Sequence, residues 1–227
     1  MIYNENEFLR AISLSFRQYK KHGARSTEKL KPIHLYVANL LKSIWKGDFE
    51  IHYLGGDSRE LTVEGKYYPK DIDICVTHND TPVFCLGIKF VTSNYKQNAN
   101  NYFENMMGET ANIQARKDLP YAQLIVLRHK TPYYLKNETE KPNKIEIINE
   151  KDLSKYLKLI FDTPQAHRPQ IIGIHLIDID EKTQTAISVN LYEAFEKEFA
   201  DLLENKLSLK KLFKEIENYK QFYKIHK

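Results

Sequence analysis

The sequence predicts an α/β fold in which a mixed central sheet is flanked by helices, with helical segments at both ends of the chain. Three observations predict it. Apolar residues recur at helical spacing in the first 45 residues and again from Phe195 onward. Short strand patterns punctuated by turns fill the stretch from Phe49 to Phe90. A strand, a helix and a non-alternating apolar run then follow one another up to Leu127, the order of a βαβ crossover.

The elements follow in chain order. Phe8, Ile12 and Phe16 mark a first helix over 7–16, and Leu35, Val37, Leu40, Leu41 and Ile44 a second over 33–45. Between them a basic stretch (Arg17, Lys20, Lys21, Arg25, Lys29, Lys31), broken by Gly23 and ended by Pro32, reads as a solvated connection. Strand patterns occupy 50–54, 60–63, 71–76 and 83–90, with turns at Gly55–Ser58 and His78–Pro82. Asn101 to Arg116 reads as a helix, and Tyr121 to Leu127 as a strand buried on both faces. The Pro- and charge-rich stretch to Lys144 reads as a loop, 145–148 as a short strand and 150–161 as a helix. Strands are expected at 171–179 and 186–191, joined by a turn at Asp180–Thr183. In the C-terminal helical region the stripe is interrupted near Asn205 to Ser208, where Ser208 is placed to cap a further helix. No repeat or boundary divides the chain, which therefore reads as one domain: a helical part (1–48), a core (49–130) and C-terminal strands and helices (131–227).

Composition narrows the classes of function. With 34 Lys+Arg against 30 Asp+Glu the net charge is +4, which permits a polyanionic partner without demanding one. No apolar run reaches the roughly 18 to 20 residues a membrane span needs. The N-terminal residues lack a basic segment followed by an apolar one, so a cytoplasmic address is expected. Cys75 and Cys85 lie in apolar segments and read as small core residues in a reducing compartment. The eight histidines are dispersed without metal-ligand spacing, which argues against structural zinc. GxSxG, Walker and GxGxxG motifs are absent, removing the commonest serine hydrolase, P-loop and dinucleotide-binding readings.

The segment that carries chemistry is Lys70-Asp71-Ile72-Asp73-Ile74-Cys75-Val76, followed after a turn by Phe84 to Phe90. Alternation puts Asp71, Asp73 and Cys75 on one face of the first strand. In the second, Gly87 and Lys89 share one face, and Phe84, Leu86, Ile88 and Phe90 the other. Hairpin partners are neighbours, so if the polar faces of the two strands coincide a carboxylate and a lysine meet across the sheet. Either they form a cross-strand ion pair worth a fraction of a kcal/mol, or the carboxylate holds a divalent cation while the lysine orients water or stabilises a phosphate.

These residues resemble the PD-(D/E)xK nuclease superfamily and, within it, type II restriction endonucleases. The resemblance covers about residues 50 to 130. It implies a restriction-endonuclease-like sheet, Asp73 as the first Asp with Asp71 as fallback, and Lys89 as the motif lysine. It further implies Mg²⁺ as cofactor, with Mn²⁺ as substitute, and double-stranded DNA as substrate. One position departs from the pattern: Gly87 stands two before Lys89, where the family has Asp or Glu. Some members relocate that carboxylate to the following helix, where Glu104 and Glu109 are available. Glu104 is preferred, being nearer the strand ends, and a five-residue separation, roughly 500° round a helix, keeps the two from pointing the same way. The alternatives are an engineered inactive variant and a natural non-cleaving homologue. Glu64 is a candidate extra metal ligand or water orienter.

Candidate DNA contacts are Asn94, Lys96, Gln97 and Asn98, in an amide-rich stretch suited to adenine edges or phosphate but equally to helix caps. Arg128 and Lys130 follow at the carboxyl end of the buried strand, where ligands collect in open α/β sheets. The expected function is therefore a Mg²⁺-dependent, site-specific endonuclease on double-stranded DNA, with a non-cleaving DNA-binding homologue or subunit as the alternative. An interaction module with a purely structural Asp/Lys pair is a third reading. Cutting both strands at a short site favours a homodimer, and a cognate DNA methyltransferase is an expected companion.

Overall fold

A computed structural model describes residues 3–23, 26–55, 59–117, 119–135 and 141–225. The chain begins with α1 (Glu5–His22), capped by the Asn4 side chain on the Glu7 amide. A single 3₁₀ turn (Thr27–Lys29) leads into α2 (Lys31–Ile44), whose Pro32 sits in the first turn, where its missing N–H costs nothing. Half of the basic connection expected between these helices is thus helical, because Arg17, Lys20 and Lys21 continue the last turns of α1. There Lys20 and Lys21, in the last turn, favourably face the negative end of the helix dipole.

Strands β1 (Phe49–Tyr53), β2 (Leu61–Glu64), β3 (Pro69–Ile72), β4 (Ile74–His78) and β5 (Thr81–Val91) follow. Then come α3 (Tyr95–Lys117), β6 (Tyr121–Arg128), β7 (Lys130–Tyr133), β8 (Lys144–Ile147), α4 (Glu150–Phe161), β9 (Ile171–Asp180) and β10 (Thr185–Ser188). The chain closes with α5 (Leu191–Ala194), α6 (Lys197–Leu207) and α7 (Leu209–Ile225). Six strands form a mixed sheet in the order β1-β4-β5-β6-β9-β10. The pairs β5/β6 and β6/β9 are parallel and the others antiparallel, so β5–α3–β6 is the crossover that the sequence implied.

Helices cover both faces. On one, Phe8, Ile12, Val37 and Leu41 of α1 and α2, with Leu212 and Ile216 of α7, pack on Phe84, Leu86, Leu124 and Val126. On the other, Tyr95 and Met106 of α3, Leu153 and Tyr156 of α4 and Leu203 of α6 pack on Ile125, Leu127 and Ile174. A smaller cluster of Val63, Ile72, Cys75, Cys85, Ile113 and Tyr121 lies under the β2–β3 hairpin. Both cysteines are free and buried there, with their sulfurs 3.8 Å apart. Among the described residues no helix is long and apolar enough to cross a membrane.

Four expectations need correction. The run 71–76 is two strands, not one, with Asp73 at the break between β3 and β4. Ile72 and Cys75 consequently share the small cluster while Ile74 and Val76 join the large core, so Asp71, Asp73 and Cys75 do not form one polar face. The helix read from Asn101 starts six residues earlier, at Tyr95, because buried Tyr95 and Ala99 continue its sheet-facing stripe. The segment after Lys130 holds β7, paired with β8, where a loop was expected, its Pro132 tolerated because the ribbon has only two strands. The turn read at Gly55–Ser58 lies largely outside the described residues.

Candidate active site

The site lies on the α3 face of the sheet, where the β2–β3 hairpin splays away from β4. The β4/β5 register ends with Ile74 opposite Leu86, and continuing it puts Asp73 beside Gly87. Freed from the ladder, Asp73 turns its carboxylate inward, and Oδ2 accepts the Ile88 backbone N–H at 2.6 Å. Burial pushes its pKa up to about 6; the Ile88 hydrogen bond opposes that shift, and the nearby carboxylates Glu60 and Glu109 reinforce it.

Glu109, on the sheet-facing side of α3, lines the same 250 Å³ cavity together with Lys29, Lys70, Lys89 and Gln123. Its Oε1 pairs with Lys70 Nζ at 3.0 Å. Burial works against the Lys70 charge, but Glu109 outweighs it and holds that ammonium above the ordinary lysine range. Tyr121, 2% exposed, lines the same cavity. Burial first, then the Glu109 and Asp73 charges, drives the phenol well above its usual range, so it is a neutral donor. Lys89, reaching out from β5, places Nζ 5.1 Å from the centroid of the Tyr102 ring.

Gly87 is explained by its neighbours. A Cβ at this position would overlap the Tyr121 hydroxyl and come within 2.8 Å of Gln123 Oε1. Parallel pairing sets Gly87 opposite Gln123, so the place of the family's usual carboxylate is filled by side chains from β6. A side chain there would require the Tyr121 hydroxyl and the end of Gln123 to shift.

Glu109, not Glu104, is the helix carboxylate at the site. Glu104 is exposed and acts instead on Lys155, whose charge it supports against the larger effect of burial. The helix starts earlier than expected, so Glu109 falls three residues after buried Met106 and four before buried Ile113, on the stripe that meets the sheet. Asp71 is at the cavity rim, accepting the Thr62 hydroxyl at 2.5 Å. Glu64 stands outside, paired with Arg116 at 3.2 Å.

Most of the predicted DNA contacts have internal partners. The Asn94 amide exchanges hydrogen bonds with the Tyr134 backbone at 2.9 and 3.0 Å, and Asn98 donates to the Asn94 carbonyl. Lys96 pairs with Asp152 at 3.0 Å, and Gln97 donates to Glu146. Arg128 is 7% exposed and pairs with Glu181 at 2.6 Å, while exposed Lys130 lies 3.6 Å from Asp178. Arg128 still faces a neighbouring cavity, described below.

Sequence reasoning missed Gln123, Lys70 and Lys29. Gln123 had a signal: it is the one amide in a strand buried along its whole length. Its Oε1 is buried and has no hydrogen-bond partner, and a buried polar atom left unpaired calls for an explanation. Among the described residues no group of three or more His, Cys, Asp and Glu gathers as a metal site. The carboxylates of Asp73 and Glu109 with the amide oxygen of Gln123 nevertheless make an all-oxygen donor set of the kind a hard divalent cation takes. No family model, curated protein or solved structure matches the chain.

Proposed function

We propose that the protein is a divalent-metal-dependent endonuclease acting on double-stranded DNA, built on a restriction-endonuclease-like sheet. One observation carries the reading: Asp73, Glu109, Lys89 and an unpaired Gln123 carbonyl oxygen converge on one cavity at the splayed end of β4. Mg²⁺, or Mn²⁺ in its place, would be held by Asp73, Glu109 and Gln123, and when bound supplies charge for the phosphate and acidity for water. Lys89 then orients the attacking water or a non-bridging phosphate oxygen, while Tyr102 beneath its stem limits its swing. Lys70 holds Glu109 in an ion pair, and the Ile88 amide fixes the Asp73 rotamer.

A homodimer, a cytoplasmic address and a partner methyltransferase belong to the same proposal. The test is incubation of the protein with unmethylated phage or plasmid DNA in Mg²⁺ or Mn²⁺, with EDTA and Lys89→Ala controls. Discrete fragments that vanish in both controls are expected. DNA left intact with either metal across a panel of such substrates overturns the reading.

A further inference from the structure

The basic connection after α1, unassigned so far, returns to the catalytic cavity. Its 3₁₀ turn ends at Lys29, which lines the 250 Å³ cavity together with Leu30. Its ammonium is held below the ordinary lysine range, first by burial and then by the charge of Lys89, which lines the same cavity. Two ammonium groups brought together in a partly desolvated cleft repel, and an anion between them relieves the repulsion.

Each lysine also lies over a tyrosine. Lys29 Nζ is 5.9 Å from the Tyr19 ring centroid and Lys89 Nζ is 5.1 Å from that of Tyr102. Both tyrosines line a second cavity of 760 Å³, which also takes in Lys20, Ser93, Tyr134 and Arg128. The two Lys–Tyr pairs therefore stand at the boundary between the catalytic cavity and this larger one. Arg128 and Lys20 share Glu181, at 2.6 and 3.8 Å, which keeps the guanidinium in place behind the pocket. The chemistry of the second cavity, cationic groups with aromatic rings, is that of a nucleic-acid strand path.

Resting on the nuclease reading above, we propose that the 3₁₀ turn between α1 and α2 is the second jaw of the cleft. Lys29 contacts the DNA phosphodiester from the side opposite Lys89, and the strand continues between Tyr19 and Tyr102 into the 760 Å³ cavity. Lys29 in this role is a substrate-contacting residue supplied from outside the core that carries the motif.

The test combines binding of a mixed-sequence duplex of about 30 base pairs in EDTA, over roughly 50–200 mM salt, with metal-dependent cleavage. Lys29→Gln is compared with Lys29→Arg and with Lys46→Gln, an exposed lysine that lines neither cavity. Expected for Lys29→Gln is a loss of about one unit in the slope of log K against log salt and cleavage at least tenfold slower. Lys29→Arg keeps the slope, as does Lys46→Gln. A Lys29→Gln protein with the wild-type slope and rate overturns the inference while leaving the nuclease reading intact. A Lys29→Arg loss as large as that of Lys29→Gln overturns it too, since the charge is then not what matters. A wild-type protein that neither binds nor cleaves DNA overturns both.

Discussion

The Tyr121 hydroxyl stands where a Gly87 side chain would project, and this contact between β6 and β5 decides how the site is built. With the motif position closed, the second carboxylate comes from α3, where Lys70 pairs with Glu109. Gly87→Ala is expected to destabilise the fold by about 1–3 kcal/mol, because its neighbours are packed and the hydroxyl has to move. Gly87→Glu destabilises it at least as much and adds no activity. Thermal unfolding checks both, with each kcal/mol reading as about 2–4 °C.

Glu109→Gln is expected to weaken Mn²⁺ binding at least tenfold and to lower cleavage by about two orders of magnitude or more, the scale for losing a group that neutralises charge at the reacting centre. Glu104→Gln stays within about threefold of wild type by the same measure, since its side chain faces Lys155 and not the cavity. Calorimetric titration with Mn²⁺ and single-turnover cleavage separate the two; an equal loss for both variants contradicts the assignment of Glu109.

The pH dependence follows from Asp73. Its folded pKa, about 6, lies above the ordinary aspartate value near 4, so the folded state holds the proton more tightly than the unfolded state does. The stabilisation is therefore fully present below about pH 4 and lost as pH rises through 6. In EDTA, Asp73→Asn is expected to match wild type near pH 3.5 and to exceed it at pH 8 by on the order of 2 kcal/mol, or several degrees in Tm. Adding Mn²⁺ raises the wild-type Tm at pH 8 and leaves the variant unmoved. The same proton competes with metal, so Mn²⁺ affinity falls as pH drops below about 6.

Gln123 offers a test in which stability and function diverge. Its Oε1 is buried without a partner, and removing such an atom costs the fold little. Gln123→Leu is expected to be as stable as wild type or more so, while binding Mn²⁺ about tenfold more weakly, the loss seen when a supporting ligand is removed. Thermal unfolding in EDTA and Mn²⁺ titration read the two effects independently, and unchanged metal affinity removes Gln123 from the donor set.

Much of the fold could be read from the sequence because it depends on local periodicity. The wholly buried β6 and the stripes of α1, α2 and α4 follow directly from apolar spacing. The pairing of Gly87 with Lys89, on the face opposite Phe84, Leu86, Ile88 and Phe90, follows from strand alternation. What escaped depends on contacts distant in sequence. The break at Asp73 is imposed by the hairpin docking on α3, and no local rule marks it. The choice of Glu109 over Glu104 turned on where α3 begins, which is set by Tyr95 and Ala99 packing in the core. Lys29 reached the site through the packing of α1 and α2, though its sequence neighbourhood reads as solvated.

The hairpin itself yields the last prediction. Asn112 of α3 is 1% exposed, and its Oδ1 accepts the Tyr67 and Tyr68 amides at 2.9 and 3.3 Å while its Nδ2 donates to the Tyr68 carbonyl at 2.9 Å. Gly65 lies directly against that amide, with no space for a side chain. One asparagine thus docks the hairpin that carries Lys70 and leads into Asp73 onto the helix that carries Glu109. Asn112→Ala leaves these backbone groups unpaired and is expected to cost about 2–3 kcal/mol, with the Tyr67 and Tyr68 amides losing hydrogen-exchange protection. Because the carboxylates sit on the two parts it joins, the same variant is expected to bind Mn²⁺ more weakly although it removes no metal-binding group. Lost protection at Tyr67 and Tyr68 with full metal affinity would mean that Asp73 is held by the Ile88 amide alone, and that the hairpin is a passenger at the site.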